Sequence, residues 1–408
     1  MVLIINGIII EKGLNQGAIE SRMGEIGVDP RGIEIMAGKF DHYQIRLYDL
    51  TFRQAAIIKQ EMLARGADAA VPWKVCSWEQ EAGGTYQALL SGARRQLDQF
   101  IAKLKQQPFG LPDIASNLEM AINNYSGEAI DFTISVRGRT YDLRARTYIM
   151  GIINLTPDSF SNDGLYGKSN YIDLALKQAA EMIAAGADFL DLGAESTRPG
   201  SEVVPEEEES KRILPVLKEL VRGAKVPISV DTYKPALAEE ALNQGASIIN
   251  DIWGLQSPED PERRMAKVAA AAKSPVIIMH NREQPGYRFL MKEIIADLNQ
   301  SIGIALEQGI SIEQIIIDPG IGFGKTHQDN LQVLQNLDQL RVIGRPILLG
   351  ASRKSVIGKA LDLPVEERLE GTIAANLWSV TKGANILRVH DVQAITRAVR
   401  MYDAISKA

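Results

Sequence analysis

The chain has 408 residues, 45% of them hydrophobic and 24% charged, with a formal net charge of -6. Such totals suit a soluble globular protein of two domains, and the acidic balance argues against nucleic acid or an anionic membrane surface as partner. A single cysteine, Cys76, rules out an intramolecular disulfide, and four histidines without a cysteine pair argue against a zinc site.

The first third is expected to form a small α/β domain over residues 1–128. Val2–Ile5 and Gln44–Tyr48 have strand character. Thr51-Phe52-Arg53-Gln54 is a capping box that opens a helix running to about Arg65, where Gly66 stops it. A second helix is expected over Gly92–Gln107, with Leu97, Phe100, Ile101 and Leu104 on one face, and Asp113 caps a third. Trp73, Cys76 and Trp78 are read as core or interface rather than as a pocket. No site is found here. Asn123–Glu128 is the expected linker. Phe132–Val136 and Thr140–Leu143 then flank Arg137-Gly138-Arg139 as a hairpin.

From Tyr148 onward, short apolar runs alternate with helical patterns. The runs are Ile149–Ile153, Phe189–Leu192, Pro227–Val230, Ser247–Ile249, Val276–Met279, Gln314–Ile317, Ile347–Leu349 and Asn385–Val389. None shows polar alternation, as expected for strands buried on both faces. The helices follow over Ile172–Ala185, Pro205–Leu220, Pro235–Gln244, Glu262–Ala272, Leu290–Gln308, Gln328–Leu340, Val365–Lys382 and Val392–Ser406, the last capped by Asp391. Gly186, Gly245, Gly309 and Gly383 stop helices just before strands. Eight strand–helix units over residues 129–408 predict a (β/α)8 barrel. A doubly wound sheet lacks its glycine-rich turn after the first strand.

Barrel enzymes build their sites at the C-terminal strand ends. Here those ends carry Asn154, Asp191 with Glu195, Asp231, Asn250 with Asp251, His280, Asp318, Ser352-Arg353-Lys354, and Arg388 with His390. Asp251 and Asp391 are equally suited to capping alone. Arg388, His390, Asn154 and the hydroxyl-bearing loop Ser196-Thr197-Arg198-Pro199-Gly200 suit a phosphate or pyrophosphate, with a magnesium ion on the Asn154 oxygen. Asp231, Asn250 and Asp318 are acceptor-rich and suit a flat heterocycle with several N–H donors. Gly322-Phe323-Gly324-Lys325-Thr326 mimics the end of a phosphate-binding loop, but Pro319 stands where that motif needs glycine. The stretch is better read as a floor that offers Phe323 for stacking. Glu206–Glu209 fill the first turn of a helix, where negative charge is favoured.

In these motifs the chain resembles dihydropteroate synthases. The resemblance covers about residues 130–408 and rests on Asn154-Leu155-Thr156-Pro157-Asp158-Ser159-Phe160-Ser161, Ser196–Gly200, Asp231-Thr232-Tyr233-Lys234-Pro235 and Ile249-Asn250-Asp251. Met279-His280, Asp318–Lys325, Ser352-Arg353-Lys354-Ser355 and Arg388-Val389-His390-Asp391-Val392 complete the set, in order. The resemblance implies a transferase that joins 4-aminobenzoate to a hydroxymethyl-dihydropterin pyrophosphate. Asp231, Asn250, Asp318, Lys354, Met279 and Phe323 would hold the pterin. Asn154, Thr197, Arg388 and His390 would hold pyrophosphate, with Asn154 on its magnesium ion. Phe160, Arg198, Pro199, Lys354 and Ser355 would shape the 4-aminobenzoate pocket, where sulfonamides would compete. The chemistry would fall to Asp231, Lys354, Arg388 and His390. A cytoplasmic homodimer joined through Leu369, Ile373, Leu377 and Trp378 is also expected. The rival activities are methyl transfer from a folate on the same barrel and non-catalytic pterin binding. The first loop departs from the family pattern: Asn162 stands between Ser161 and Asp163, where the family usually places Asp directly after the Ser.

Overall fold

The computed structural model describes residues 16–81, 83–127, 131–136, 138–157, 164–195 and 203–406. It divides into two compact units between Asn123 and Asn124. Among the described residues no helix is long and apolar enough to cross a membrane.

The first unit holds an antiparallel sheet of β1 (His42–Leu50), β2 (Asp68–Ala70) and β3 (Tyr86–Ala93), ordered β1-β3-β2. Its helices are α1 (Gln16–Glu25), α2 (Pro30–Phe40), α3 (Phe52–Leu63), α4 (Trp73–Cys76), α5 (Arg94–Leu104) and α6 (Leu111–Ser126). The Thr51–Gln54 capping box forms in full at the start of α3. Leu97, Phe100, Ile101 and Leu104 face a core shared with Ile58, Met62, Leu90 and Leu118.

Several expectations for this unit need correction. Gly92 and Ala93 finish β3, so α5 starts at Arg94. Helical periodicity ran smoothly across that junction and hid the strand. Asp113 lies inside the first turn of α6 rather than capping it. The expected linker is helical through Ser126. Trp73 and Trp78 are each 76% exposed, so neither is core. Val2–Ile5 lies outside the described residues.

The second unit opens with a hairpin, β4 (Thr133–Val136) and β5 (Arg139–Asp142). Eight parallel strands follow: β6 (Tyr148–Asn154), β7 (Phe189–Gly193), β8 (Ile228–Asp231), β9 (Ile248–Asp251), β10 (Val276–Met279), β11 (Ile315–Asp318), β12 (Leu348–Leu349) and β13 (Ile386–Val389). A parallel bridge from Ile317 to Ile347 joins the two edge strands and closes the barrel. The surrounding helices are α7 (Tyr171–Ala185), α8 (Glu206–Gly223), α9 (Pro235–Asn243), α10 (Arg264–Ala272), α11 (Leu290–Glu307), α12 (His327–Gln335), α13 (Ser355–Leu361), α14 (Leu369–Thr381) and α15 (Val392–Ser406). Strand ends agree with the sequence pattern to within a residue or so. The short helix α13 is not expected from sequence. Two helical patterns each divide into a 3-10 turn and a helix, at Leu337–Ile343 after α12 and Val365–Glu367 before α14.

Two cores explain the unbroken apolar strands. Outward residues such as Ile149, Leu190, Val230, Ile278, Ile317 and Leu387 pack beneath the helices. Inward residues Met150, Phe189, Ile248, Ile277, Ile316, Leu348 and Ile386 pack with Ile134, Val136 and Leu143, so the hairpin packs against the barrel interior. Side chains alternate along a strand, so the residue two further on points inward one layer higher. From Phe189 that residue is Asp191, from Ile248 it is Asn250, from Ile316 it is Asp318, and from Ile386 it is Arg388. An apolar lower layer thus passes directly into a polar mouth.

Candidate active site

At the centre of the mouth lies Arg388, bound by two carboxylates. Its Nε donates to Asp191 Oδ2 at 2.5 Å and its Nη2 to Asp231 Oδ2 at 2.6 Å. Asp191 is fully buried and also accepts from Asn250 Nδ2 at 3.1 Å. The other oxygens, Oδ1 of Asp191 and of Asp231, are buried without a hydrogen-bond partner among the described residues. A buried acceptor without a donor costs on the order of 1–3 kcal/mol, so these two atoms suit a ligand bringing N–H groups. Burial raises the Asp231 carboxyl well above the usual carboxylate range, Arg388 draws it down, and the neighbouring Asp191 raises it further. For Arg388 burial opposes the charge, but the two carboxylates more than compensate and hold the guanidinium protonated.

Asp318 ends β11 and accepts from the Gly320 N–H at 2.7 Å. Burial raises its carboxyl, and Lys354 draws it back. Lys354 donates to the Ile321 carbonyl at 2.5 Å, and its ammonium lies 4.8 Å from the centre of the Phe323 ring. Phe323 packs with Tyr233, Ile252, Trp253 and Met279 in a small apolar cluster separate from the main core. A slab of this kind beside acceptor oxygens can take the faces and edges of a flat heterocycle together.

Across the mouth Asn154 Nδ2 lies 3.5 Å from His390 Nε2, and His390 Nδ1 lies 3.0 Å from Ser352 Oγ. Among the described residues no group of three or more His, Cys, Asp or Glu side chains could hold a metal.

The structure therefore brings together Asn154, Asp231, Asn250, Met279, Asp318, Phe323, Lys354, Arg388 and His390. Ser355 begins α13 and is exposed. Phe160, Thr197, Arg198, Pro199 and Asp163 lie outside the described residues. Asp251 closes its own loop, accepting from Trp253 and Leu255 N–H at 2.8 and 2.7 Å. Asp391 stands just before α15, where its carbonyl accepts the Ile395 N–H at 3.1 Å, and its carboxylate also takes the fork of Arg353 at 2.9 and 2.5 Å. Glu209 is more than a helix-start charge. It is buried and pairs with Lys234 at 2.5 Å, and the same ammonium also binds Glu195 and the Val204 carbonyl. The anchoring of Arg388 by Asp191 has a sequence signal, the carboxylate at the β7 end, but no partner could be named without the closed barrel.

Fold and mouth define a (β/α)8 enzyme shaped for a flat, donor-rich ring beside an anion. The family described as "Pterin binding enzyme" matches residues 150–390, and the chain belongs to it. Among its relatives is the dihydropteroate synthase of Clostridium beijerinckii, 50% identical over 273 residues that span 67% of this chain and 99% of the relative. A crystal structure of the dihydropteroate synthase from Clostridium difficile in the presence of pteroic acid is 46% identical. It superposes with a TM-score of 0.62 over 66% of this chain and all of that one. A probable bifunctional folylpolyglutamate synthase/dihydropteroate synthase of Halobacterium salinarum is 34% identical over 92% of this chain and 44% of its own length. That match reaches well into the first unit.

Proposed function

We infer that this transferase joins 4-aminobenzoate to hydroxymethyl-dihydropterin pyrophosphate, releasing pyrophosphate and forming 7,8-dihydropteroate. The observation that carries the reading is the Asp191–Arg388–Asp231 cluster, two of whose buried oxygens have no hydrogen-bond partner among the described residues. In this assignment Asp231, Asn250 and Asp318 accept the ring N–H groups, and Met279 and Phe323 cover its faces. Lys354 lies between the pterin and the 4-aminobenzoate. Arg388 and His390 face the pyrophosphate, with Asn154 and Thr197 beside it. Phe160, Arg198, Pro199 and Ser355 complete the 4-aminobenzoate pocket, which sulfonamides would share.

The carbon–oxygen bond to pyrophosphate breaks, a carbon–nitrogen bond to the aniline forms, and one N–H proton is released. An electron-rich ring lets departure run ahead of attack, so positive charge develops on the pterin and negative charge on the leaving group. Asp231 faces the first and Arg388 with His390 the second. Asn154 is the residue that would hold magnesium, which when bound would neutralise charge on the pyrophosphate. The test is pyrophosphate release by the full chain. Release should require both substrates together and fall on chelation of magnesium. Turnover without 4-aminobenzoate would overturn the assignment.

The homodimer is proposed on the polarity of α14. Its fully buried residues are Thr372, Asn376 and Ser379, and two of these bond to carbonyls of their own helix. Leu369, Ile373 and Leu377 are half-buried and Trp378 is 49% exposed, its indole donating to the Leu334 carbonyl at 2.9 Å. Ile373 and Leu377 reach the barrel core only in part, and an exposed Trp378 beside half-buried Leu369 leaves an apolar strip that suits a self-complementary two-fold interface. Sedimentation at micromolar concentration should give a dimer, and Trp378→Glu should shift it toward monomer. A wild-type monomer would end this proposal. The cytoplasmic assignment rests on the single, exposed Cys76.

A further inference from the structure

Lys325 closes the sequence stretch that imitates a phosphate loop, yet its ammonium is turned back into the protein. It donates to His280 Nδ1 at 2.8 Å and to the carbonyls of Gly320 and Phe323, both at 3.0 Å. Burial lowers the Lys325 amine to about 7, and in its protonated form its three donors meet three acceptors. A tetrahedral ammonium can serve such a set, whereas a planar guanidinium cannot. Since Nδ1 of His280 accepts, its proton sits on Nε2, which is 3.1 Å from Asp297 Oδ2. Asp297 in turn accepts from Arg282 Nε at 2.8 Å. Burial holds the His280 imidazole neutral, down at about 4.

The turn held in this way carries several groups of the pterin pocket. The Gly320 N–H orients the Asp318 carboxylate, the Ile321 carbonyl takes Lys354, and Phe323 lies under the Lys354 ammonium. The turn is also pressed against the loop after β10. Gly320 and Gly324 have φ of +68° and +53°, and a Cβ on either would collide with the carbonyl of His280 or Arg282. The backbones meet closely, and Lys325 with His280 forms a polar joint between the two loops, beside the Tyr287 hydroxyl that donates to the Gly324 carbonyl at 2.9 Å.

We propose that Lys325, seated on His280, is a positioning residue that fixes the Gly320–Phe323 turn and through it the pterin pocket. The inference rests on the pterin-transferase reading above and adds to it a residue that touches neither substrate. It is tested on the full chain with hydroxymethyl-dihydropterin pyrophosphate as probe. Lys325→Met should raise the pterin Kd about tenfold, equivalent to about 1.4 kcal/mol, while the KM for 4-aminobenzoate changes less than about twofold. Amide hydrogen exchange should quicken at Gly320–Phe323. Combined with Phe323→Leu, the loss should fall short of the sum of the single losses, because both changes act on one turn. Lys325→Arg should not restore binding. A folded Lys325→Met with wild-type Kd and exchange, additive losses, or full rescue by arginine would each overturn the inference. Should Lys325→Met fail to fold, His280→Leu removes one acceptor and should give the same pattern at smaller size; an unchanged pterin Kd there would overturn it. Wild-type protein that binds no pterin would instead overturn the functional reading, and the exchange arm would still decide whether Lys325 holds the turn.

Discussion

Asp231→Asn is expected to lower kcat by roughly 10²–10³, the usual effect of removing one preorganised electrostatic group, with a smaller loss of ground-state pterin binding. Asp231 gives one oxygen to Arg388 and keeps the other buried, with no partner among the described residues. An amide oxygen can still accept one ring N–H, so much of the ground-state contact survives. What disappears is the negative charge. That charge matters most when pyrophosphate has begun to leave and the ring carries positive charge, so the loss concentrates in the transition state. Single-turnover kinetics with calorimetric pterin binding separates the two effects. Equal losses in binding and kcat/KM with kcat intact would show that the carboxylate only holds the ring.

Arg388→Met is expected to damage both stability and turnover. Arg388 is the shared partner of Asp191 and Asp231, whose side chains are 0% and 14% exposed. Removing one partner of a buried ion pair typically costs about 3–5 kcal/mol, because the remaining charge is left desolvated. A loss of that size should lower Tm by very roughly 10 °C or more for a unit of this length. The deficit should also depend on pH. Burial and Asp191 already raise Asp231 well above the usual carboxylate range, and Arg388 is the largest influence holding it down. Without Arg388 the folded carboxyl would rise further above its unfolded value. The folded variant then keeps this proton to higher pH than the folded wild type, so the deficit against the wild type is smallest at low pH and widens as pH rises from the wild-type folded value toward the variant's higher one. Turnover should fall with the lost guanidinium at every pH. Thermal melts of both proteins across pH 4–9 check this, and a deficit that shrinks at high pH would show that the two carboxylates are not the source.

Several features were legible in the sequence because they are local. The capping box at Thr51 satisfies helix donors within one turn, so four residues announce it. The barrel strands announce themselves as apolar runs because both faces are covered, by helices outside and by the Ile134–Val136–Leu143 layer inside. The polar ends stand out because they break those runs. Where two elements met without a break in pattern, as at Gly92–Ala93 before α5, the boundary was lost.

By itself the sequence determined the eight strand–helix units, the (β/α)8 class and the set of polar residues at the strand ends, since alternation and apolar runs are properties of neighbouring residues. Tertiary structure alone decided which of those residues share a charge or a proton. Asp191 and Arg388 stand 197 positions apart, and only the closed barrel sets them at 2.5 Å. The same holds for Asp391, whose carboxylate pairs with Arg353, and for Lys325, which turns to His280 instead of an anion. A side chain's nearest opposite charge depends on how strands wrap around the barrel axis, and local sequence spacing does not encode that distance.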